Sequence, residues 1–74
     1  MFRKYRLKRD IRHCRKIIDE LEKKRARSQA ALVSAILSNT DPDDTDVDYF
    51  NKFTKLIEDT RERMHTLSDE LSKL

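Results

Sequence analysis

The residues best suited to metal or nucleophilic chemistry are His13, Cys14 and His65, and their spacing serves neither. His13 and Cys14 are sequence neighbours, so on a helix their side chains diverge by about 100° and do not converge on one ion. With two His and one Cys the ligand set of a structural zinc site is not present, and a chain without Gly has no phosphate-cradling Gly loop. Cys14 reads as a small core residue rather than a nucleophile. The expectation is a protein that is not an enzyme and that uses no metal or other cofactor.

What remains is the chemistry of charge. Arg3, Lys4, Arg6, Lys8, Arg9, Arg12, Arg15 and Lys16 are balanced by Asp10 alone within the first sixteen residues, in a chain of net charge +3. Phosphate contacts need Lys and Arg at this density, and Phe2 and Tyr5 have rings able to stack on exposed bases. These eight side chains are candidate contacts to an anion or a nucleic acid, although the chain matches no reader module with base-contacting positions. Acidic protein or plain solvent are the other fates of such a run. An anionic membrane surface fits less well, because few large apolar residues lie opposite the charges. Residues 39–48 show the reverse bias, with five acids and no base.

The elements that must position these charges follow from apolar spacing. Leu7, Ile11, Cys14, Ile18, Leu21, Arg25, Ser28, Leu32 and Ala35 step by four and three, and Phe50, Phe53, Ile57, Thr60, Met64, Leu67, Leu71 and Leu74 do the same. Each series is one stripe of an amphipathic helix. Between them SNTDPDDTDVD holds the only Pro and reads as a connector. Asp41 or Thr45 is the expected N-cap of the second helix, which should begin between 42 and 47, with the connector acids suiting its positive dipole end. The predicted organisation is a single unit: a helix over about 3–38, an acidic connector over about 39–46 and a helix over about 47–73. So short a connector makes the helices antiparallel neighbours. The expected register sets Ala35 opposite Phe50, Leu32 opposite Phe53, Ser28 opposite Ile57, Leu21 opposite Met64 and Ile11 opposite Leu74, leaving residues 1–10 as an overhang. Polar Arg25, Ser28 and Thr60 interrupt the seam at mid-length, where such residues fix register or partner at a cost in stability. Arg25 can also lay its stem along the seam and send its guanidinium to water, Asp59 or Glu62.

The fold class is thus all-α, an antiparallel two-helix hairpin resembling a coiled coil. Two helices of this size bury little against an ordering cost of roughly 1.5 kcal/mol per residue, so association should contribute to stability. The stretch AALVSAIL at 30–37 supports this, because its apolar side chains point all round the helix. Ile17, Ala31, Ile36, Tyr49 and Leu56 widen the seam, Val33 and Leu37 lie behind it, and with Phe50 and Phe53 they form the expected partner interface. The occupant is a second copy, giving a homodimer or four-helix bundle, or an amphipathic helix of another protein. Tip-to-tail stacking of two hairpins would bring the acidic turn to the basic end, about 50 Å away at 1.5 Å per residue. The functional expectation is a small adaptor or complex subunit working through protein–protein interaction, and the alternative is nucleic-acid binding by the basic arm. Neither a secretory h-region nor a run of about 18 apolar residues is present, so no transmembrane segment is expected. The cytoplasm, or the nucleus in a eukaryotic source, is the expected location, and one lone Cys suits a reducing compartment.

One segment resembles a known family. LSDELSKL at 67–74 is similar to the Ser-x-Glu-Leu-Asp segment of small sporulation-control aspartyl-phosphate phosphatases, carried late in the second helix of a hairpin. The likeness covers eight residues, and Ser72 stands where that family has its acid, so no activity is carried over. Hairpin co-chaperones of secretion systems and coiled-coil subunits of chromatin complexes share the architecture, which by itself assigns no function.

Overall fold

The computed structural model describes residues 2–74. Two helices, α1 (Phe2–Leu37) and α2 (Asp44–Ser72), pack along each other as an antiparallel hairpin measuring 57 × 15 × 14 Å. The long dimension is that of α1 itself, at about 1.5 Å per residue.

The turn is tighter than the sequence suggests, for a reason at each end. α1 stops at Leu37 because Asn39 adopts φ 55° and turns the chain left-handed. The Asn39 N–H then donates to the Ile36 carbonyl at 3.1 Å and the Thr40 N–H to the Ala35 carbonyl at 2.9 Å. This is a Schellman closure, and Asn takes the position that Gly would usually fill in a chain that has none. At the other end the cap is Asp43, and neither Asp41 nor Thr45 fills that role. Asp43 is extended (φ −67°, ψ 131°), and its carboxylate accepts from the Thr45 N–H at 3.0 Å. Thr45 is therefore a helical donor already inside the first turn. Asp44 and Asp46 add negative charge at the positive end of the helix dipole.

α2 begins at Asp44, inside the expected window of 42 to 47. Leu7 falls within the expected overhang, yet it is only 6% exposed, a degree of cover that one helix does not give its own leucine. The C-terminal end of α2 therefore reaches at least that far. Of the expected overhang only residues 2–6 project, and Met1 lies outside the described residues.

The stripes themselves are where the spacing puts them. Leu7, Cys14, Ile18, Ser28 and Ile57 are buried, and every other stripe residue except Leu74 is at least half-buried. Polar seam residues are satisfied within their own helix: the Thr60 hydroxyl donates to the Leu56 carbonyl at 2.7 Å, and that of Ser28 turns back to the Lys24 carbonyl at 3.5 Å. Arg25 is half-buried and pairs with neither Asp59 nor Glu62. Among the described residues the ion pair that crosses the hairpin is Arg61 to Glu22, at 2.7 Å on its flank.

Candidate interaction surfaces

Two surfaces remain once the seam is formed. The first is apolar and lies at the turn end. Val33, Ile36, Leu37, Tyr49 and Leu56 are exposed, while Ile17, Ala31, Phe50 and Phe53 are half-buried at the seam margin. Ile17 stands apart from the rest, some 30 Å down α1 from Leu37 by helical rise. Tyr49 stacks on Phe53 with ring centroids 5.9 Å apart and planes inclined by 11°, so the Tyr49 ring extends the seam outward.

Val33 and Leu37 belong to a different face. They line an open groove of about 500 Å³ with Ala26, Gln29, Ala30, Ser34 and Ser38, and no residue of α2 takes part. A volume in the range of ligand pockets does not make a small-molecule site here, since a single helix provides no enclosing wall. Reading for large aliphatics alone misses Ala26, Ala30 and Ser34. Their signal is a repeat of small residues every fourth position, which lets another backbone approach closely.

The second surface is the basic arm. Arg3, Lys4, Arg6, Lys8, Arg9, Arg12, Arg15 and Lys16 are all exposed. Among them only Arg9 has an acidic partner within the described residues, Asp10 at 3.6 Å. Phe2 and Tyr5 are exposed beside them, at 83% and 66%. Because the arm ends in the short overhang of α1, its first residues are reachable from all sides.

The groups capable of other chemistry are scattered. His13 is exposed, Cys14 is a free thiol buried in the seam, and His65 lies 3.7 Å from Asp69 one turn on in α2. Among the described residues no three His, Cys, Asp or Glu side chains are placed to hold a metal ion, and no helix is long and apolar enough to cross a membrane. Compared with known proteins, the chain matches no family model, no curated protein and no solved structure.

Proposed function

We propose that the protein is a non-enzymatic interaction module, a helical hairpin whose turn end is completed by a helical face from another chain. The observation that carries this reading is the cluster of Val33, Ile36, Leu37, Tyr49 and Leu56, all exposed, in the half of the molecule around the turn, a larger group than the exposed Phe2, Tyr5 and Leu74 at the other end. The interior is correspondingly thin, with Ile57 the one side chain at 0% exposure among the described residues. A hairpin that buries so little gains most from a partner that binds only its folded form. A cytoplasmic or, in a eukaryotic source, nuclear location belongs to the same proposal. Thermal unfolding followed by circular dichroism over a wide range of protein concentration tests it. The isolated chain should melt low when dilute, and its midpoint should rise with concentration or on addition of the partner helix. A monomer that melts between about 45 and 65 °C at every concentration, like an ordinary domain, would overturn the proposal.

A second reading rests on a separate observation, the exposure of eight cations with one acidic partner among them. On this reading the arm binds nucleic acid through phosphates. Its test is binding to duplex and single-stranded DNA at low salt.

A further inference from the structure

The side of α1 turned away from α2 carries an apolar face that nothing in the hairpin covers. Ala26, Ala30, Val33 and Leu37 line one groove, and Leu37 is 80% exposed. Ala30 sits two residues from both Ser28 and Leu32 of the seam, hence about 160° round the helix from each. Reversed end to end, this face matches itself. Packing two copies through it in antiparallel sense sets Ala26 of one opposite Leu37 of the other and Ala30 opposite Val33, small against large at each level. That is the self-complementary contact of a two-fold dimer.

Charge selects the occupant. In this arrangement the turn of each copy, with Asp41 and Asp43 exposed, comes to lie just past the other's Ala26, beside Lys23 and Arg27. Lys16 follows about 10 Å further along, within roughly one Debye length at 0.1 M salt. Asp19, Glu20 and Glu22 lie among them, Glu22 already paired with Arg61, against Lys16, Lys23, Lys24, Arg25 and Arg27, so the stretch stays net positive by two. Parallel packing would instead set acidic turn on acidic turn and basic arm on basic arm.

We infer that the occupant of this face is a second copy of the chain, docked back to back and antiparallel through α1, with each acidic turn against residues 16–27 of the other. The inference rests on the proposed association and adds its partner and its geometry.

Light scattering and sedimentation on the full chain read the first consequence. The mass should be twice 8.9 kDa, and the dissociation constant should rise with salt. A30E/V33E should give a monomer that keeps its helical circular dichroism when concentrated, since both positions are exposed and neither is in the seam. Orientation is read by a spin label at Arg12→Cys in a Cys14→Ala background whose helix content is verified first. Antiparallel docking places the two labels about 60 Å apart by helical rise. A separation near one helix diameter, about 10 to 12 Å, overturns the inference. So does a dimer whose mass is unchanged in A30E/V33E, which would leave association through another face standing. A chain that stays monomeric overturns it as well; a low, concentration-independent melt would then point to another protein's helix, and an ordinary stable melt would remove the proposed association too.

Discussion

At the scale of single residues, the seam rests on few side chains, and its energetics are correspondingly concentrated. Ile57 has no exposed surface, so Ile57→Ala removes buried methyl groups and leaves a cavity, at about 2 to 5 kcal/mol. Leu67 is half-buried and should lose less, while exposed His65, tied only to Asp69 at 3.7 Å, should change stability by no more than about 0.5 kcal/mol on replacement by Ala. Urea unfolding of the three variants measures this order, and equal losses at all three would contradict the seam. These positions were legible because steps of three and four leave a helix one way to bury a stripe. The burial of Leu7 was not legible, since it depends on where α2 ends, and that depends on the turn. The back groove was hidden for another reason: Ala26 and Ala30 register weakly on any hydrophobic scale, and their value is in the space they leave.

At the scale of the elements, the connector sets the register, and one residue at each end sets the connector. Five acids within ten residues offer several N-caps by type, so the sequence alone did not single out Asp43. Backbone geometry did, because the residue after Pro42 is the one held extended with its carboxylate over the Thr45 N–H. Asp43→Ala should therefore cost about 0.5 to 2 kcal/mol, whereas Asp41→Ala should be close to neutral. A thermal midpoint lowered equally by both would show that the acids act only through their shared charge. The opposite end responds to shape rather than charge. Asn39 at φ 55° should accept Gly without loss, while a β-branched Val clashes there and should destabilise by about 1 to 2 kcal/mol. The hairpin as an architecture was plain from two stripes and one Pro; the choice of Asp43 as cap was not, because capping geometry acts over four residues that no periodicity describes.

At the scale of the whole molecule, the segregation of charge serves two readings that make separable demands on the same arm. Nucleic-acid binding would draw on the projecting end, including Arg3, Lys4 and Arg6, whereas antiparallel docking of two copies draws on residues 16–27. Engagement of about five phosphates predicts a log–log slope of affinity on salt near −4.5 with duplex DNA. Replacing Arg3, Lys4 and Arg6 with Ala should flatten that slope by about one unit for each phosphate no longer engaged. None of the three side chains is in the seam, and all are exposed, so helix content and melting midpoint should hold. The mass in solution should hold as well, since the acidic turn of a second copy does not reach the arm's first residues. Anisotropy titrations across a salt series, run beside light scattering on the same samples, separate the outcomes. A flattened slope at unchanged mass assigns the arm to phosphate. Undetectable binding to duplex and single strands at low salt removes the nucleic-acid reading, and the charges then act on protein. A fall in mass with the triple substitution would mean that the copies dock further along α1 than the pairing of Ala30 with Val33 allows.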